Sequence, residues 1–250
     1  MIYKFPITIP QLSGNERRML YVYTPKGYER NRRKRYPVLY LFDGHNMFYD
    51  KDAAYGKSWG VGKYLDRTRT QLIVVAIECD KKGGRLSEYS PFDFDIPGYC
   101  MIKGRGKQTM DYFVKEFKPY IDKRYPTLPE PEYTFIAGSS MGGLMTLYAL
   151  CEYGDTFSRG AALSPSLEFS PAQVRDMLTD ADLRDKVLYM DCGDGEFRNA
   201  SERKRYGQAT SLLMRKGVLL TSRIVPNGVH SEASWEKQLP IIFNTLLYEL

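Results

Sequence analysis

The chain has 250 residues, 43% hydrophobic and 26% charged, a balance suited to one sizeable core and not to a disordered or fibrous chain. Its longest apolar runs, Leu72 to Ile77 and Val38 to Phe42, fall far short of the ~20 residues a membrane helix needs, and "MIYKFPITIP" lacks the basic-then-apolar layout of a secretory signal. The net charge of +6 leaves room for an anionic ligand, but the densest basic run, "ERNRRKR" at 29–35, reads as a solvated loop, and no nucleic-acid-binding module is visible.

In chain order, "RMLYVYTP" (18–25) is an early strand with a period of two. "PVLYLFD" (37–43) and "LIVVAIE" (72–78) are near-continuous apolar runs, as expected of strands covered on both faces. "YTFIAGS" (133–139), "RGAALSP" (159–165), "KVLYMDCG" (186–193) and "LTSRIVPN" (220–227) continue the series. Helical spacing falls between them: Met110, Phe113, Val114, Phe117 and Ile121; then Ala209, Leu212 and Leu213; then Trp235, Leu239, Ile242, Phe243, Leu246 and Leu247 on one stripe. Pro119 and Pro240 should kink these helices or mark their first turns. The alternation predicts one α/β domain, 1–250, with a mostly parallel central sheet and helices on both faces. Ligands to such sheets bind at the carboxyl ends of the strands. Residues 79–107 break the pattern without a period of their own, and a connection that long is expected to overhang the site. Cys79, Cys100, Cys151 and Cys192 match no metal or redox spacing and read as free thiols of a reducing, cytoplasmic compartment.

"FIAGSSMGG" (135–143) ends the fourth of these runs. Only Ser140 of its two serines has glycine two residues away on each side, Gly138 and Gly142. A serine held exposed on a sharp strand-to-helix turn needs small neighbours there, and the apolar "GLMTLYALCEY" that follows supplies the helix. The Met141 N–H then stands at a helix N-terminus, able to donate to a developing oxyanion. Of the two histidines, only His230 in "NGVHSEASW" follows Ser140 in the nucleophile–acid–histidine order of an α/β-hydrolase, which makes it the candidate base. The acid should follow the strand "KVLYMDCG"; Asp191 falls inside that strand, and either Asp194 or Glu196 in the turn can orient the imidazole. After "PVLYLFD", Gly44 permits a tight turn, the His45 N–H is the candidate second oxyanion donor, and the His45 and Asn46 side chains are expected to line the pocket. Two distant histidines make a poor ligand set, so neither metal nor cofactor is expected.

With "YLFDGHNMF", "RLSEYSPF", "FIAGSSMGGLMTLYAL", "AALSPSL", "YMDCGDGE" and "GVHSEASW", the sequence resembles the enterochelin-esterase-like and esterase D-like family of α/β-hydrolases over residues 18–247. The resemblance implies an α/β-hydrolase fold and cleavage of a carboxylic ester through an acyl-enzyme. It places the acid three residues after Gly193, which selects Glu196 over Asp194. It implies that the loop carrying Arg85, Glu88, Tyr89 and Phe92 lines the acyl or leaving-group pocket, although Glu88 and Tyr89 serve equally well as braces. The glycine-rich turn expected before the histidine is here Asn227-Gly228-Val229. The expected partner is a small-molecule ester, not nucleic acid or membrane. The aromatics Tyr89, Phe92, Phe94 and Tyr99 lean toward an aromatic acyl group. An acyltransferase with the same three residues, or a non-catalytic binding module on the same scaffold, is the alternative reading. Oligomeric state is not legible.

Overall fold

A computed structural model describes residues 1–30, 33–96, 98 and 100–250; Tyr99 and part of the basic run at 29–35 lie outside the described residues. The elements are β1 (Ile2–Thr8), α1 (Pro10–Ser13), β2 (Arg17–Tyr23), β3 (Val38–Leu41), α2 (Val61–Thr68), β4 (Ile73–Ile77), α3 (Arg85–Glu88), β5 (Phe94–Ile96), β6 (Cys100–Ile102), α4 (Gly106–Tyr112), α5 (Lys118–Arg124), β7 (Thr134–Ser139), α6 (Met141–Glu152), β8 (Arg159–Leu163), α7 (Pro171–Asp180), β9 (Val187–Gly193), α8 (Ala200–Arg215), β10 (Leu219–Val225), α9 (Glu232–Glu236) and α10 (Leu239–Leu246). Eight strands form one sheet in the order β1-β2-β4-β3-β7-β8-β9-β10. The β1–β2 and β2–β4 pairings are antiparallel, and all others are parallel.

Strand alternation splits the core in two. Tyr40, Val75, Ile136 and Met190 point to one face, against α4, α5 and α6; Leu39, Val74, Phe135 and Tyr189 point to the other, against Trp235, Leu239 and Phe243. Helix α6 is buried from Met141 to Leu150, which explains a sequence that is apolar on every side. Its first residue is thereby fixed at the end of β7, in the middle of the sheet.

Three local departures from the sequence expectation have physical causes. Strand β1 carries Pro6, which argues against a strand except at a sheet edge, and β1 is an edge. The C-terminal stripe is two helices, not one: α9 stops before Gln238, and Pro240 sits in the first turn of α10, where its missing N–H costs nothing. Pro119 likewise opens α5, after a π turn over Phe113–Phe117 that joins it to α4. Segment 79–107 is not structureless; it holds α3 and the β5–β6 hairpin, each too short to show a period. Among the described residues, no helix is long and apolar enough to cross a membrane.

Candidate active site

Ser140 lies between β7 and α6 with φ 58° and ψ −123°, a backbone conformation that L-residues rarely adopt. The strain is held by three backbone bonds: the Ser140 N–H donates to Leu163 O (2.9 Å), and its carbonyl accepts from Leu144 N–H and Ser166 N–H (both 3.1 Å). A Cβ on Gly138 would come within 2.8 Å of the Gly142 carbonyl carbon, so a larger residue there would push the turn open. Ser139 is only 5% exposed and sits in the ladder opposite Leu163. Of the two serines, the turn therefore presents Ser140. The Met141 N–H, first in α6, has no acceptor within the helix.

Glu196 and His230 meet across two turns. His230 Nδ1 lies 2.6 Å from Glu196 Oε2. The other carboxylate oxygen, Oε1, accepts from Ser164 Oγ (2.7 Å) and from the Gly193 N–H (2.8 Å). Burial works to raise the Glu196 carboxyl, but these hydrogen bonds outweigh it and hold the group below the usual carboxylate range. The acid and histidine turns are stitched together by Gly195 N–H donating to Gly228 O (3.1 Å), and Asn227 takes the left-handed conformation, φ 57°, in place of a further glycine. The His230 ring stands edge-on to Trp235 at 5.0 Å, and Trp235 Nε1 donates to Ser164 Oγ (2.9 Å). Asp194, the rival acid, is exposed.

The segment Ser164-Pro165-Ser166, past the end of β8, links these parts, and the sequence reading assigned it no role. Ser164 holds the acid, and Ser166 Oγ is 3.3 Å from Ser140 Oγ. In this structure the Ser140 hydroxyl faces Ser166 and makes no hydrogen bond to His230 among the described residues. Ser164, Ser166, Glu196 and His230 line one cavity of about 370 Å³. A signal was present in "AALSPSL": two hydroxyls at the carboxyl end of a parallel strand, where ligands to such sheets bind.

A family model described as "Putative esterase" matches residues 12–246. The chain belongs to this esterase family. It is similar to a ferulic acid esterase at 23% identity and a TM-score of 0.70, over 99% of each chain. An IroE-like serine hydrolase from Shewanella oneidensis is 20% identical with a TM-score of 0.75, over 98% of this chain and 79% of that one. The uncharacterized protein YbbA of Bacillus subtilis is 22% identical over 196 residues, 78% of this chain and 74% of its own length. The esterase thus has the α/β-hydrolase fold that its motif order implied.

The remaining candidate residues fall in the turn after β3 and in segment 79–107. Asp43 is left-handed at φ 53° and starts the tight turn Gly44–Asn46. A Cβ on Gly44 would lie 2.6 Å from the Ala76 carbonyl carbon, so the turn is pressed onto β4. This holds the His45 N–H at the carboxyl edge of the sheet. The His45 ring is 8% exposed, its Nδ1 has no hydrogen-bond partner among the described residues, and burial lowers its pKa. Its side chain is thus packed inward, contrary to the expectation that it lines the pocket. Asn46 departs from expectation too: Nδ2 donates to Glu232 Oε1 (3.1 Å) and Oδ1 accepts from the Ala54 N–H (3.0 Å). Its amide ties the turn Gly44–Asn46 to the segment after His230 instead of facing a ligand.

Glu88 and Tyr89 are braces, not pocket walls. Glu88 is 1% exposed and paired with Arg18, with Arg18 Nη1 2.8 Å from Glu88 Oε2. Tyr89 is 2% exposed, and its hydroxyl accepts from the Asp43 N–H (3.2 Å). Arg85 grips both oxygens of Asp43 at 2.7 Å. Burial opposes ionisation of Asp43, and the guanidinium overcomes it, holding that carboxyl below its ordinary value. Asp43, His45 and Cys79 converge within 4.8 Å, but Asp43 is already neutralised by Arg85 and burial pushes the Cys79 thiol up, which makes the group a poor cation site. Phe92 is half-buried, with its ring edge-on to Tyr148.

Asp191 is buried at the end of β9, where its Oδ2 accepts from Tyr189 OH (2.7 Å) and its Oδ1 from the Ser164 N–H (3.2 Å). Burial, with help from the Glu196 charge, pushes its carboxyl from 3.8 up to about 6. Below pH ~4 it is protonated in both folded and unfolded chains, and between there and about 6 only the folded chain keeps the proton. Raising the pH through that window therefore favours the unfolded chain, by roughly 3 kcal/mol from this group. Asp191→Asn should remove that contribution. Urea midpoints at pH 4, 5, 6 and 7 should fall less steeply for the variant than for the parent chain; parallel profiles would show that Asp191 ionises normally.

Proposed function

We propose that this esterase, with residues 1–250 acting as one domain, hydrolyses a small carboxylic ester through an acyl-enzyme on Ser140. The observation that carries the reading is the 2.6 Å contact of His230 Nδ1 with Glu196. It directs the Nδ1 proton at the carboxylate, leaving Nε2 unprotonated and free to act as base. For proton transfer the Ser140 hydroxyl must turn from Ser166 toward Nε2. Such contacts are often loose before substrate binds.

In the first half-reaction Ser140 Oγ attacks the ester carbonyl as Nε2 takes its proton. The Met141 and His45 N–H groups hold the oxyanion, each such donor contributing roughly 3 kcal/mol. His230 gives the proton to the departing alcohol. Water then attacks the acyl-enzyme with His230 as base again, and Ser140 leaves with the returned proton.

A fluorophosphonate probe tests the site. It should attach stoichiometrically, peptide mapping should place the adduct on Ser140, and prior acylation by p-nitrophenyl acetate should slow the attachment. A probe that binds elsewhere or not at all would remove Ser140 from its role.

A further inference from the structure

The cavity that holds Glu196 and His230 has a neighbour. Leu167 and Arg205 also line a second cavity of about 410 Å³ between α7 and α8, so the two lie side by side at these residues. Each has the volume of a small-molecule subsite. Their charges differ. The first is lined by Glu168, Glu196 and Glu202 as well as Arg198 and Arg205, and its Arg198 is taken up by Glu202 (2.9 Å). The second carries Arg175, Lys204 and Arg205 on its rim, with Leu167, Val174 and Leu212 below, and no carboxylate among its lining residues; Arg175 is taken up by the adjoining Asp176 (2.9 Å), which leaves Lys204 and Arg205 to meet an anion. Arg205 is half-buried and has no ion-pair partner among the described residues; it helps keep Glu202 ionised, but Glu202 is hydrogen-bonded to Arg198.

We propose that the preferred substrate is an ester whose alcohol portion ends in an anionic group, a carboxylate or phosphate, separated from the ester by an apolar spacer. This rests on the acyl-enzyme reading above. The departing oxygen must face the proton donor, so the alcohol lies on the His230 side of Ser140, and the cavity beginning at His230 receives it. The spacer crosses to Leu167, Val174 and Leu212. The anion stands at Arg205 and Lys204, away from the three carboxylates that would repel it nearer the ester.

The test compares acetyl esters of ω-hydroxy fatty acids with acetyl esters of the matching alkanols, over a series of chain lengths, by kcat/KM. At the best length the carboxylate ester should lead by about tenfold, and the lead should shrink as salt is raised. In Arg205→Gln the ratio should fall toward one, and in the pair Arg175→Glu with Lys204→Glu it should invert; thermal unfolding of each variant checks its fold. Turnover of p-nitrophenyl acetate with no carboxylate preference at any length overturns this proposal and leaves the serine esterase standing. A preference confined to activated half-esters of dicarboxylic acids overturns the placement on the alcohol side. Absence of all ester turnover overturns the acyl-enzyme reading and this proposal together.

Discussion

Ser140→Ala should cut p-nitrophenyl acetate turnover by at least ~10⁴-fold, while Ser139→Ala should keep it within about fivefold. The two side chains are neighbours in sequence but not in environment. Ser140 occupies the strained turn and its hydroxyl contacts Ser166, which lines the cavity. Ser139 is locked in the ladder and nearly inaccessible. Steady-state kinetics on both variants, with near-ultraviolet circular dichroism to check the fold, reads the difference. Comparable losses in both would mean that the turn, not the hydroxyl of Ser140, matters.

Glu196→Gln should lower kcat by about 10³–10⁴-fold, and Asp194→Asn by less than about twofold. The magnitude follows from the three donors around the carboxylate. Ser164 Oγ–H and Gly193 N–H both point at Oε1. A glutamine would turn its carbonyl toward that pair and its NH₂ toward His230. Nδ1 would then have to accept, the ring proton would move to Nε2, and the base would be lost without any change in shape. Asp194, exposed on the same turn, can lose its charge without such an effect. The reverse ranking of the two variants would assign the acid to Asp194.

The strand-turn-helix around Ser140 was legible because its demands are local: glycine where a Cβ would collide, an apolar strand before, a helix buried on all sides after. The choice of Glu196 needed the resemblance, since two acids share one turn and only the fold decides which reaches His230. The partnership of Ser164 with Glu196 spans 32 residues of chain and that of Asn46 with Glu232 spans 186, and neither has any local pattern to betray it. For Glu88 and Tyr89 the resemblance implied a pocket wall while bracing served equally well, and the chain uses them to satisfy Arg18 and the backbone of Asp43. Strand β1 had no place in the sequence reading, and its Pro6 is tolerated because the strand lies at the margin of the sheet.

The ion pair between Arg18 and Glu88 is almost dry, at 5% and 1% side-chain exposure, and it joins segment 79–107 to β2. Severing such a pair strands a charge in the interior, at about 3–5 kcal/mol. A second clamp, Arg85 on Asp43, fastens the same segment to the turn after β3. A flap hinged over the serine would have to break both on every catalytic cycle. Both clamps hold segment 79–107 to the body of the fold, so selectivity among esters is expected from the walls of the passage and not from swinging this segment aside.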